Sequence, residues 1–186
     1  PKELQAGDMF KFADSFSLPE SLRGETFQVQ KVATYFYTDT PNYEYVIKSG
    51  PNKPLFLSIE DFDGDELLVI SRKLKRKEVS ELMGADAIKQ ALADRDAEFQ
   101  CSSQDDWFAS NYSCKVHGAE AAYFDRAIAM GSSQPGGGEQ CRYYEYYSSD
   151  EKHSFEIEVW DGNEQEFCAG IVRPFTDIVE YWPKKS

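Results

Sequence analysis

The chain has 186 residues, 41% of them hydrophobic and 15% aromatic, and a formal net charge of −13. That length suits one domain, or two small lobes sharing a core; folding buries roughly 70% of the unfolded surface, so neither a metal nor a disulfide is needed to build a core. The acidic balance repels phosphate backbones and argues against nucleic acid as a partner, and no apolar run approaches the ~20 residues of a membrane-spanning helix.

The charge is uneven. Residues 1–95 hold 16 acidic and 13 basic residues, whereas residues 96–186 hold 17 and 7. No secretory signal pattern stands at the start, although the chain begins at Pro1 rather than a methionine. Cys101, Cys114, Cys141 and Cys168 form no C-x-x-C pair, which argues against a zinc ribbon or a dithiol redox centre. Four reduced thiols in a cytoplasmic protein is the simpler expectation, each acting as a small hydrophobe.

In chain order, "GDMFKF" (7–12) is a short opening strand. "ETFQVQKVATYFY" (25–37) alternates as a strand, with Phe27, Val29 and Lys31 expected on one face and Gln28 and Gln30 on the other. "TDTPN" is a turn before "YEYVIKS" (43–49), and "DFDGD" sits between "LFLSIE" (55–60) and "ELLVIS" (66–71) as a hairpin signal. Residues 72–97 then read as helical. Val79, Leu82 and Met83 form an apolar stripe, Gly84 ends the first helix, and Ile88, Ala91 and Leu92 belong to a second.

Strand character returns at "EFQC" (98–101). Residues 107–118 pair back as a strand, 119–130 fit either helix or strand, and "GSSQPGGGEQ" (131–140) is a flexible loop. "CRYYEYYS", "SFEIEVW" and "QEFCAGIV" form a three-stranded meander. "FTDIVEYW" (175–182) is expected to be a closing helix capped by Thr176 and stopped by Pro183. "YTDTPNYEYVIK" and "YSSDEKHSFEIEVW" superimpose with one gap. Duplication is one reading of that match; the general likeness of tyrosine-rich hairpins is the other.

Glu156 and Glu158 alternate with Phe155, Ile157 and Val159, so the two carboxylates share one strand face. Such a pair can hold a divalent ion. Its spacing fits the E-x-E-x-K signature of the triphosphate-tunnel superfamily, but Trp160 stands where the lysine belongs, and a polyphosphate would lack counter-charge in a half with 7 basic residues. A solvated strand face is the preferred reading. Asp61, Asp63 and Asp65 have the spacing of a calcium loop, yet Glu66 and Arg72 stand where its glycine and final glutamate belong. Cys114 and His117, three apart on a strand, would face opposite sides.

The basic run of Arg72, Lys73, Lys75, Arg76 and Lys77 abuts the amphipathic helix and is the candidate partner surface. Tyr143, Tyr144, Tyr146 and Tyr147 occupy both faces of one strand, so at least one pair packs under a second layer or meets a partner.

"LQAGDMFKF", "GETFQVQKVATYFY", "YEYVIKS", "LFLSIED" and "YYEYYSSDEKHSFEIEVWDGNEQEFCAG" together resemble the bacterial domain-of-unknown-function family numbered 4178. The resemblance implies a β-rich cytoplasmic domain with no catalytic residues to carry over. The expected fold is α+β, mainly antiparallel β: a single domain of 1–186 with a first lobe of 1–74, a helical bridge of 75–95 and an acidic second lobe of 96–186. The expected role is a non-enzymatic binding or assembly module with a protein partner. No cofactor or metal site is assigned, and membrane-surface docking is not favoured. The alternative is a metal-dependent enzyme acting on a phosphorylated or cationic small molecule through Glu156 and Glu158.

Overall fold

A computed structural model of the chain describes residues 4–103 and 105–184. The elements are β1 (Met9–Phe12), β2 (Thr26–Phe36), β3 (Pro41–Lys48), β4 (Leu55–Phe62), β5 (Asp65–Leu74), α1 (Arg76–Met83), α2 (Ala87–Ala93), β6 (Glu98–Gln100), β7 (Asn111–Phe124), β8 (Glu139–Tyr147), β9 (His153–Trp160), β10 (Gln165–Arg173), a 3-10 turn (Phe175–Asp177) and β11 (Ile178–Trp182). The fold is mainly antiparallel β with two short helices. Two compact units divide it: Pro1–Ile70 with Phe124–Gln134 and Arg173–Ser186, and Ser71–Tyr123 with Pro135–Val172.

In the first unit the strand order is β11-β1-β2-β3-β4-β5. Phe10, Phe12 and Phe27 are buried and meet ring to ring, with centroids 5.3 to 6.2 Å apart. Phe27 and Val29 share the buried side of β2 as its alternation predicts, and Gln28 and Gln30 are exposed. Lys31 does not continue that row. The register jumps from Val29 opposite Ile47 to Lys31 opposite Val46, so Gln30 is the extra residue of a bulge that resets the alternation. The "DFDGD" stretch turns β4 into β5: Asp63 and Gly64 both have positive φ, 55° and 95°, the pair a tight primed turn requires, and the Gly64 N–H donates to Asp61 Oδ1 at 2.9 Å.

The expected closing helix at 175–182 is instead one 3-10 turn followed by β11. β11 pairs with β1, with Met9 opposite Trp182 and Phe10 opposite Tyr181. Ile178, Val179, Tyr181 and Trp182 are strand formers, and a free backbone edge at β1 wins over the weak propensity of so short a segment. Thr176 caps nothing; Pro174 occupies the N-cap position and no side chain closes that end.

In the second unit the order is β10-β9-β8-β7-β6, with α1, α2 and residues 71–74 of β5. The three-stranded meander is present with Glu156 opposite both Glu145 and Cys168, and Ile157 opposite Tyr144 and Phe167. Its core side carries Phe155, Ile157, Val159, Tyr146 and Phe167, all buried. Phe99 from β6 and Tyr112 from β7 close over Phe155 and Tyr146, and the Tyr146 hydroxyl donates to the Ala91 carbonyl of α2 at 3.0 Å. The helical segment begins later than the basic run suggested: β5 reaches Leu74, which is buried, and α1 starts at Arg76. Gly84 ends α1 at φ 97° as expected, and residues 119–124 resolve as strand.

Candidate functional site

Alternation along β9 turns Phe155, Ile157 and Val159 inward and Glu156 and Glu158 outward, where both are half-buried. The neighbouring strands extend this outer side. Glu158 lies directly opposite Glu166 of β10 and Tyr143 of β8; Glu156 lies opposite Glu145 of β8. The expected pair is thus half of a set of four glutamates, arranged as two directly opposed pairs two residues apart along β9. Like charges facing each other across strands repel.

Lys73 brings a cation to the Glu158–Glu166 pair. Lys73, at the end of β5, donates to Glu166 Oε2 at 2.8 Å, with its side chain 51% exposed. Burial alone would lower its pKa, but the hydrogen bond and charge of Glu166, with Cys168 and Glu158 nearby, outweigh it and hold the ammonium above its ordinary value. The basic run and the carboxylate pair, separate features of the sequence, therefore meet at Lys73. Glu145 is fixed from its own strand: the Tyr147 hydroxyl donates to its Oε1 at 3.0 Å.

The rest of the basic run is engaged within its unit. Arg72 lies 3.8 Å from Glu78 and 3.6 Å from Asp105, with its guanidinium over the rings of Trp107 and Phe108. Arg76 bonds to Gln165 and stands over Phe167, and Lys77 lies 3.7 Å from Glu81. Lys75 is exposed, and its backbone N–H donates to Glu78 at 2.7 Å. Glu78 in the first turn also offsets the unfavourable placement of cations at a helix N-terminus. Of the apolar stripe, Val79 is fully buried, and Leu82 and Met83 are half-buried.

Cys114 and His117 share a face after all. Register shifts at Cys114/Val116 and His117/Ala119 place them opposite Tyr146 and Tyr144, which point the same way. Gly118 takes φ +64° at the second shift, and a side chain there would press on the Tyr144 ring, 3.3 Å from its hydroxyl. Burial pushes the Cys114 thiol up, away from the thiolate that a nucleophile needs, and the thiol donates to the Val116 carbonyl at 3.4 Å. Among the described residues no three His, Cys, Asp or Glu side chains stand where they could share a metal ion.

Cys141 and Cys168 flank β9 from opposite sides, opposite Trp160 and Glu156 respectively. Two strand spacings, about 10 Å, separate them sideways, beyond the roughly 7 Å Cα limit for a disulfide. Mass spectrometry of alkylated, unreduced protein is expected to show no linked Cys141–Cys168 peptide. Burial, with Glu158, Asp161 and Glu166 nearby, pushes Cys141 up to about 12, so this thiol is also expected to resist iodoacetamide at pH 8 until the protein is denatured.

Sequence alternation located Glu156 and Glu158 but not Glu145, Glu166 or Lys73. The meander itself held the signal, since strands of 9, 8 and 9 residues joined by short turns align "YEY", "FEIE" and "EFC". No helix of the described residues is long and apolar enough to cross a membrane. A family model described as "Domain of unknown function (DUF4178)" matches residues 21–172. No curated protein and no solved structure matches the chain.

Proposed function

The chain belongs to the DUF4178 family, and on that footing we propose that it is a non-enzymatic binding module whose outer meander face in the second unit takes a cationic segment of a partner protein. The observation that carries this reading is the register, with Glu158 opposite Glu166 and Glu156 opposite Glu145. Two opposed carboxylate pairs gather four acidic side chains on one surface, which draws a positively charged segment. Tyr143, half-buried on the same face, adds a ring suited to alkyl or cationic groups. Four free cysteines agree with the reducing cytoplasm of a bacterial cell. The basic run from Arg72 to Lys77 is the second candidate surface, and its engagement with Glu78, Glu81, Asp105 and Glu166 makes it the lesser one.

The test is calorimetric titration with a lysine decapeptide. Wild type is expected to bind at low salt and to weaken as salt rises. Changing Glu145, Glu156, Glu158 and Glu166 together to Gln is expected to lower affinity roughly tenfold or more, from four pairs worth up to ~1 kcal/mol each. Folded wild type that ignores the peptide at low salt would overturn the reading. The rival, a metal-dependent enzyme, draws on Lys73 standing beside Glu158 and Glu166. Magnesium-dependent phosphate release from tripolyphosphate, lost in Glu156→Gln, would put that reading in its place.

A further inference from the structure

Exposed apolar side chains of the first unit gather on β1, the loop after it and β11. Among the described residues, six large hydrophobic side chains are exposed: Met9, Phe16, Tyr37, Met130, Val179 and Trp182. Single residues of this kind are ordinary on a surface, whereas a cluster marks an interface. Met9 stands directly opposite Trp182, on the side of β1 away from buried Phe10 and Phe12. Val179 is the extra residue where the β1–β11 register shifts. These three are 39 to 53% exposed, and the Lys11–Glu180 pair lies among them at 3.6 Å.

Phe16 is 91% exposed, yet its loop is well braced. Leu18 and Leu22 of the same loop are fully buried. The Leu18 N–H donates to the Ser15 carbonyl at 3.0 Å, and Arg23 Nε donates to the Leu18 carbonyl at 2.7 Å. Arg173 donates through Nη2 to Ser17 Oγ at 2.7 Å and through Nε to Asp177 Oδ2 at 2.6 Å, which ties the loop to the turn before β11. The Arg23 guanidinium stands 4.9 Å from the Phe16 ring centre. An aromatic ring held out on such a loop has lost much of its freedom before any partner arrives, the condition under which a ring anchors an interface.

We propose that a second copy of this chain covers this surface, in a two-fold dimer where Phe16 of each copy packs on Met9, Val179 and Trp182 of the other. Charge selects this occupant. The chain carries −13, so two copies repel over most of their surface, but only charges within ~8 Å act strongly at physiological salt. Residues 9–24 and 178–184 hold Lys11, Arg23 and Lys184 against Asp14, Glu20 and Glu180, a local balance of zero. The two halves of the contact also match in kind. One is a projecting ring with a guanidinium over it; the other is an apolar strand face that carries Glu180. A two-fold axis uses both halves twice and leaves no open end. The inference is independent of the cation-binding face in the second unit.

Sedimentation velocity of the full chain between about 1 and 300 µM tests this. Wild type is expected to pass from monomer to dimer with a dissociation constant of roughly 10 µM, as suits a small interface. Phe16→Ser and Trp182→Asp should each weaken association about a hundredfold, because each removes its half of the contact twice per dimer. Met130→Ser changes another exposed apolar residue of the same unit and should leave association unaltered. All three side chains are exposed, so the variants should keep the circular dichroism spectrum of wild type. A mixture shows whether ring meets strand face. Phe16→Ser keeps the strand face and Trp182→Asp keeps the ring, so the hybrid pair retains one intact contact and should form about tenfold more tightly than either variant with itself. Wild type that stays monomeric at about 300 µM, a dimer that Met130→Ser disrupts as much as Phe16→Ser does, or a mixture no tighter than its two components would overturn the proposal.

Discussion

Phe155→Ala is expected to destabilise the protein by about 4 kcal/mol, the largest single-residue effect in the second unit. The ring is 1% exposed and contacts three others, with centroids 6.4 Å from Phe99, 6.3 Å from Tyr112 and 6.1 Å from Tyr146. These rings come from β6, β7 and β8, so one side chain ties three strands to β9. Its removal leaves a cavity that rigid strands cannot collapse, and it loosens Tyr146, whose hydroxyl satisfies the Ala91 carbonyl of α2. Changes one residue along should behave oppositely. Glu156→Gln, on the outer side, is expected to shift stability by less than about 0.5 kcal/mol, with relief of the Glu145 repulsion favouring a gain. Chemical denaturation of the two variants measures this contrast. A loss below 1 kcal/mol for Phe155→Ala would mean that the ring cluster is not the core of the unit.

That contrast is also why so much was legible in the sequence. Inward and outward positions alternate over Phe155–Trp160 of β9 and Glu166–Ala169 of β10 because no register shift interrupts those strands, and the turns between them are short. Where the alternation was broken, the reading failed for one reason each time. Gln30 is an extra residue opposite β3, so Lys31 leaves the row that Phe27 and Val29 define. Shifts in β7 bring Cys114 and His117 to one face that simple counting separates. Bulges depend on the partner strand, and local composition does not encode them. The 178–182 segment failed differently: its residues suit a strand, but its pairing partner β1 lies some 170 residues upstream, outside any local window. The candidate site shows the same limit. Glu156 and Glu158 are visible as neighbours in sequence, whereas Glu145, Glu166 and Lys73 join them only through register and tertiary placement.

In the first unit Asp8→Ala is expected to cost about 3 kcal/mol. Asp8 is 3% exposed and accepts three hydrogen bonds: Oδ2 from the Gln5 N–H at 2.9 Å and the Tyr181 hydroxyl at 2.8 Å, and Oδ1 from the Lys184 N–H at 2.8 Å. It thereby fastens the segment before β1 to β11 and to Lys184, two residues past the end of β11. Alanine deletes three charge-assisted bonds and leaves their donors to find water, which supports a loss of this size after partial resolvation. Burial alone would raise the Asp8 pKa, but the backbone donors of Lys184 and Gln5, the Tyr181 hydroxyl and the Lys184 charge outweigh it and hold the value below 3.8. A carboxylate depressed in the folded state lends stability above its unfolded pKa and loses it as pH falls through the folded one. The gap between wild type and Asp8→Ala should therefore be constant at neutral pH and narrow only below about pH 4. Tyr181 supplies a local check. Burial first, and then the Asp8 hydrogen bond and charge, push its pKa above 10.0. In Asp8→Ala the burial remains and the other two causes vanish, so ultraviolet titration should show one tyrosine ionising at lower pH than in wild type. An unchanged tyrosine titration, together with a stability gap that shows no narrowing as pH falls from about 4 to about 2, would show that the Asp8 carboxylate does not hold these segments together.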